Sequence, residues 1–154
     1  MGRKELKQRK ELEGFSLLEV ILTIALILLI GVILFPTTLK TIQKSQVLNY
    51  SDQLSTDIRY QQQRAKNKNI ATGIFFEYGK YTLFDGETFT NGTEKDERVL
   101  PNNIRIPTHS LTNGNSIIFP AGEFKPSSYG NITLSARAYS TKIYINVEGL
   151  IENE

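Results

Sequence analysis

Residues 15–35 read FSLLEVILTIALILLIGVILF, and in these 21 positions only Ser16, Glu19, Thr23 and Gly31 are not apolar. As a helix rising ~1.5 Å per residue, the run would extend ~32 Å, enough for a bilayer core of ~30 Å. A purely cytosolic chain is therefore not expected. The whole-chain averages, 22% charged residues and a mean hydropathy of -0.25, conceal the run because the rest of the chain is polar.

The flanks orient the run. Upstream, MGRKELKQRKELEG (1–14) carries Arg3, Lys4, Lys7, Arg9 and Lys10 against Glu5, Glu11 and Glu13. That leader holds the whole net charge of +2; the 13 cations and 13 acids left among 18 and 16 cancel over residues 15–154. Cations beside a membrane segment stay cytoplasmic, which places the N-terminus inside and the C-terminal part outside. A balanced remainder does not support a strongly basic nucleic-acid domain. With no Cys and a single His, His109, disulfides, thiolate metal sites, Cys nucleophiles and most His-pair sites are excluded.

Three readings of the run compete: a single-pass anchor, a secretory signal peptide, and one that accounts for the sharp polar-to-apolar boundary at Gly14-Phe15 and for Glu19. A signal peptide is disfavoured because Phe35-Pro36-Thr37-Thr38-Leu39 is a poor small-residue cleavage site and the run is too long. Glu19 decides among the rest. A carboxylate inside a membrane helix costs roughly 2.5–3.5 kcal/mol on insertion scales, so it marks a functional group. Five positions into the run, it could also reach the headgroups by snorkelling.

Gly14-Phe15-Ser16-Leu17-Leu18-Glu19-Val20 resembles the cleavage and methylation motif of type IV prepilins and pseudopilins. The resemblance implies a short basic leader cut after Gly14 by a prepilin peptidase on the cytoplasmic side, N-methylation of Phe15, and a glutamate at the fifth mature position. Pro36 matches a helix-kinking proline common in that family. The new α-amine of Phe15, with an ordinary pKa of about 7.7–8.0, can be cationic. In a stack of parallel helices, Glu19 of one subunit can meet the Phe15 amine of its neighbour. An unpaired carboxylate in lipid is costly and a paired one is tolerated, so Glu19 reads as an assembly group.

Downstream, the helix is expected to continue to about Lys68, with Pro36 kinking it because proline lacks an amide donor. Leu39, Ile42, Val47, Tyr50, Leu54, Ile58 and Ala65 form a thin apolar stripe with helical spacing, suited to packing on the protein's own sheet. Arg59, Arg64, Lys66 and Lys68 form either a solvated helix face, favoured there by the macrodipole, or a small phosphate-binding patch. From residue 71 the period changes. Ala71–Tyr78 and Lys80–Phe84 are expected to form a hairpin, Asp85–Glu97 a polar loop, and Arg98–Ile106, Ser116–Phe119, Asn131–Ala136 and Lys142–Val147 further strands. No crossover helix separates them, which predicts antiparallel pairing.

A second, scattered resemblance lies in Ser116–Gly122 (SIIFPAG), Ile132-Thr133-Leu134 and Tyr144–Gly149, similar to minor pseudopilins of the GspH/ComGD type. The spacing in Phe119-Pro120-Ala121-Gly122 is compressed relative to that pattern. There is no Gly-rich phosphate loop, no GxSxG and no metal-spaced His/Asp/Glu cluster. His109 is expected to be a surface loop residue, and Asp96, Glu97 and Glu123 solvated acids.

The expected fold is α+β: a long N-terminal helix, half transmembrane and half amphipathic, packed on a small antiparallel β-sheet domain, as in the pilin fold. The expected segments are a cleaved leader (1–14), a transmembrane or filament-core helix (15–38), an amphipathic helix (39–70) and a β domain (71–154). The resemblance implies a non-enzymatic, cofactor-free subunit of a pilus-like filament. It would pass the cell membrane once and reach the cell surface after assembly. Its expected partners are the prepilin peptidase and other pilins or pseudopilins, with weak or indirect DNA contact at most. Compact length and a Lys/Asn/Ile-rich tone suit a Gram-positive competence pseudopilus serving DNA uptake. The alternatives are a type II secretion pseudopilin and a DNA-binding tip subunit.

Overall fold

The computed structural model describes residues 16–154, with the side chains of 33–38 outside the description. Helix α1 spans Leu17–Lys68. Eight strands follow: β1 Thr72–Glu77, β2 Lys80–Asp85, β3 Thr93–Val99, β4 Arg105–Leu111, β5 Ser116–Phe119, β6 Gly130–Ala136, β7 Tyr139–Ile145 and β8 Ile151–Asn153. They form two four-stranded sheets, ordered β3-β2-β1-β5 and β4-β6-β7-β8. Every pairing is antiparallel. The α+β class and the antiparallel pairing agree with the sequence; the division into two sheets was not visible there.

The chain divides into two units between Thr38 and Leu39. In the first, Ser16 stands before the helix, and its carbonyl accepts the amides of Glu19 (2.9 Å) and Val20 (3.2 Å), closing the first turn. Among the described residues, no helix is long and apolar enough to cross a membrane. The apolar stretch with described side chains ends at Val32, so Leu17–Val32 rises roughly 24 Å of the ~30 Å a bilayer core needs. Phe15 and Ile33–Phe35, which complete the run in the sequence, lie outside those residues.

In the second unit the helix buries Val47, Leu54, Ile58 and Ala65 against residues of both sheets in one continuous core. Ile74, Phe76, Tyr81 and Leu83 enter from the first sheet and Ile132, Leu134, Ile143 and Ile145 from the second. The stripe is shorter than its sequence pattern: Leu39 and Ile42 are exposed. Its buried face is also more polar, because Ser51, Ser55 and Gln61 lie on it. Gln61 donates to the carbonyls of Gly73 (3.3 Å) and Phe84 (3.4 Å), and Thr72 Oγ1 donates to the Gln61 carbonyl (2.8 Å). The Gln61 amide group thus finds acceptors on β1 and β2 and Ser55 Oγ donates to Asn153 Oδ1 of β8 at 2.6 Å, whereas Ser51 Oγ and Gln61 Oε1 are buried without a partner among the described residues.

Phe84 is fully buried outside that core, on the opposite face of the first sheet. Its partner across the ladder is Gly73, where a Cβ would come within 2.5 Å of the Phe84 ring. Phe89, from the connection after β2, covers this face: its ring stacks on Phe75 at 4.2 Å and meets Phe84 edge-on at 5.6 Å.

Three segments differ from their sequence reading. Arg98–Ile106 is not one strand but the end of β3, a turn, and the start of β4. Pro101 and Asn102-Asn103 make the turn, closed by Ile104 N–H to Pro101 O at 2.8 Å. Thr93–Glu97, read as loop, belongs to β3; all seven of its residues are exposed, so no alternation of apolar residues marks it. His109 lies in β4, half-buried, its ring 6.4 Å from that of Phe76. The chain also continues past β7 into β8, after a turn in which Asn146 Oδ1 accepts the amides of Glu148 (3.0 Å) and Leu150 (2.9 Å).

Because the core begins at Val47, a fragment of residues 39–154 is expected to be soluble and to melt cooperatively. Aggregation of that fragment, set against a well-folded full-length chain in detergent, would refute the division.

Candidate functional site

Two surfaces were candidates in the sequence: the apolar segment with Glu19, and the cationic end of the helix. Gly14 and Phe15 lie outside the described residues. Glu19 lies in the first turn of α1, where an acid is favoured by the partial positive charge of the helix N-terminus. It is exposed, as are the large apolar residues from Leu17 (80%) through Val20 (44%) to Val32 (76%). An exposed apolar surface of that size is far beyond the scattered apolar residues of an ordinary protein surface.

Within it, the polar groups are not equivalent. Thr23 Oγ1 donates to the Val20 carbonyl at 2.8 Å, so this hydroxyl is satisfied inside its own helix. Glu19 has no such device, and among the described residues no cation lies in ion-pair range of it. In a low-dielectric environment this carboxylate requires a donor from elsewhere. Pro36 sits within α1, which runs through it to Lys68.

The cationic end is organised differently. Arg59 Nη2 donates to the Ile151 carbonyl (2.8 Å) and Arg64 Nη2 pairs with Asp85 Oδ2 (2.7 Å). Lys66 Nζ donates to the Gly122 carbonyl (2.9 Å) and sits 5.6 Å from the Phe124 ring. Gly122 N–H in turn caps the Ala65 carbonyl at 3.0 Å, and a Cβ on Gly122 would meet Asn69 Oδ1 at 2.8 Å. Phe119-Pro120-Ala121-Gly122 is therefore the turn that closes the helix C-terminus. Gln62 Nε2 adds bonds to the carbonyls of Phe124 and Gly149, both 2.9 Å. Three of the four cations thus have donors committed to β8, Asp85 and the Gly122 turn, which fixes their positions; only the charge of Arg64 is matched by an acid. Their partners are more than 20 residues away in the chain, so no local pattern marked them.

Tyr81 and Asp57 form a further, partly buried polar contact between helix and sheet, with the phenol donating to Asp57 Oδ2 at 2.7 Å. Burial, and then the Asp57 carboxylate, push the Tyr81 phenol well above its ordinary pKa. This ties helix to sheet and keeps the phenol protonated. Among the described residues no group of three or more His, Asp or Glu side chains comes together to hold a metal ion. Comparison with protein-family models, with curated proteins and with solved structures finds no match to this chain.

Proposed function

We propose that this chain is a minor pseudopilin, a structural subunit of a type IV pilus-like filament, and that the filament is the pseudopilus of DNA uptake. The observation that carries the reading is an exposed apolar helix whose one carboxylate, Glu19, has no cation in ion-pair range among the described residues, in a sequence that follows directly on Gly14-Phe15. In this reading the apolar segment passes the cell membrane once, with its N-terminus in the cytoplasm, until the filament draws it out. Prepilin peptidase cuts after Gly14 and Phe15 is methylated. Glu19 then meets the Phe15 amine of a neighbouring pilin or pseudopilin, and Pro36 bends the helix where it leaves the packed core of the filament. The 39–154 unit is displayed on the cell surface. Engagement of Arg59, Arg64 and Lys66 inside the chain favours a structural role over a DNA-binding tip, leaving DNA contact weak or indirect.

Processing is the test. Mass spectrometry of the protein from peptidase-positive cells should show a chain beginning at Phe15 with one added methyl group. Gly14→Val should block the cut, because only a small residue lets the peptidase reach the backbone, and leave the uncut chain in the membrane. A mature protein that retains residues 1–14 refutes the proposal.

A further inference from the structure

We propose that β3 is a self-association edge, on which two copies of this chain pair their Thr93–Val99 strands antiparallel about a twofold axis through Asp96. The inference is independent of the pilin reading and concerns the outermost strand of the first sheet.

The other sheet edges are closed or blunted. Ser127 covers β5, its amide (2.8 Å) and hydroxyl (3.2 Å) both donating to the Ile118 carbonyl. β8 is three residues long and is held by Arg59 and by Ser55 Oγ on Asn153 at 2.6 Å. β4 carries Pro107 and a register shift. These are ordinary protections of an edge. β3, as long as β4, is exposed on both faces and is in regular register from Asp96 to Val99; Lys95 and Glu94, the latter at φ 47°, stand at the bulge that ends the regular part.

The backbone fixes which registers are open to it. Leu100 N–H bonds Gly79 O at 2.9 Å, so the amide of Leu100 faces β2. Antiparallel ladders alternate, so Arg98 and Asp96 also face β2 while Lys95, Glu97 and Val99 turn their backbone groups to the open side. Among the described residues no backbone group of another element bonds those three. A second β3 can therefore pair only with these same odd-numbered positions, which rules out slips by one residue.

Charge selects among the registers that remain. With the axis at Asp96, Lys95 lies opposite Glu97 twice, joining the Lys80 Nζ that already sits 2.7 Å from Glu97 Oε2; Glu94 lies beyond the regular ladder. With the axis at Lys95, Lys95 faces itself and Glu94 faces Asp96. With the axis at Glu97, Asp96 lies opposite Arg98 twice, but Glu97 faces itself with only Lys80 Nζ at 2.7 Å to offset it, and Lys95 faces Val99 and loses its acid. The central Asp96 meets its own copy, but each Asp96 already has Arg98 Nη2 at 2.8 Å. Opposite charges across a strand pair stabilise it and like charges oppose it. One lysine or the bulge would suffice to blunt this edge; a pattern of signs that reads as its own complement is not required for that. A single strand pair falls below the ~1,200 Å² of a standard interface, so association is weak in dilute solution and grows where copies are held close together.

The chain has no cysteine, which makes the register directly testable. Asp96→Cys, Lys95→Cys and Glu97→Cys are made singly in the full chain in detergent micelles and oxidised mildly. Only position 96 meets its own copy within the roughly 4.4–6.8 Å Cα separation of a disulfide, so it should give at least about fivefold more linked dimer than 95 or 97. In the Asp96→Cys background, Lys95→Glu should lower the yield severalfold and Lys95→Glu with Glu97→Lys should restore it. Equal yields at the three positions, absence of dimer at 96, or failure of the charge swap to restore it each overturn the proposal, whatever other protein β3 meets.

Discussion

Glu19→Val is expected to be cleaved and membrane-bound yet missing from filaments. Valine removes a carboxylate whose place in a membrane helix costs roughly 2.5–3.5 kcal/mol, so insertion should be equal or better. Thr23 cannot stand in for the lost group, because its hydroxyl is already bonded to the Val20 carbonyl. In the proposed filament, what disappears is the acceptor for a neighbour's Phe15 ammonium. In a helix bundle, removing one partner of a buried charge pair costs about 3–5 kcal/mol, because the other charge is left without compensation. That is a large part of what a single subunit contact supplies. The variant should therefore be absent from sheared filament fractions and fail to crosslink to partner pilins. A glutamate that merely snorkels to the headgroups predicts wild-type amounts in both measurements, and that result removes the register argument. It would weaken the family reading less, since a subunit at the filament tip has no neighbour above it.

How much of this was legible in the sequence follows from how local each signal is. The run 15–35 and the acid within it are visible because transfer energies belong to single residues. Val47, Leu54 and Ile58 are visible because a helix repeats every 3.6 residues. Ser51, Ser55 and Gln61 share their buried face but look like surface residues; what permits the burial of Ser55 and of the Gln61 amide is a partner elsewhere, such as the Gly73 and Phe84 carbonyls that receive Gln61. β3 was invisible for the opposite reason: it buries no side chain, and only its ladder to β2 makes it a strand. Two sheets were read as one because strand order is set by contacts between distant segments. At the candidate site, Glu19 stood out as an acid where none belongs. The cations of the helix end gave no sign that they hold Ile151, Asp85 and Gly122.

The largest expected change in stability is at a glycine. Gly130→Ala should destabilise the 39–154 unit by about 3–5 kcal/mol, from backbone strain and steric overlap together. Gly130 opens β6, opposite Leu111 of β4 on one side and Ile145 of β7 on the other. Its φ is +142°, outside what a residue with a Cβ adopts readily. An alanine Cβ would lie 1.9 Å from the Ser110 carbonyl oxygen and 2.9 Å from its carbon. The obstacle is backbone, so no rotamer change relieves it; β4 would have to separate from β6, which exposes Ile106 and Ile132 of the core. Gly79→Ala is the matched control. Nothing lies within 4 Å of its added Cβ, and its backbone is outside the left-handed region, so its effect should stay within about 0.5 kcal/mol. The chain has seven tyrosines and no tryptophan, so urea unfolding of residues 39–154 can be followed by tyrosine fluorescence. With a urea slope of about 1–3 kcal/mol per molar, Gly130→Ala should lower the midpoint by roughly 2 M, or leave no folded baseline at all. A midpoint within about 0.3 M of the parent would mean that β4 yields freely at Ser110.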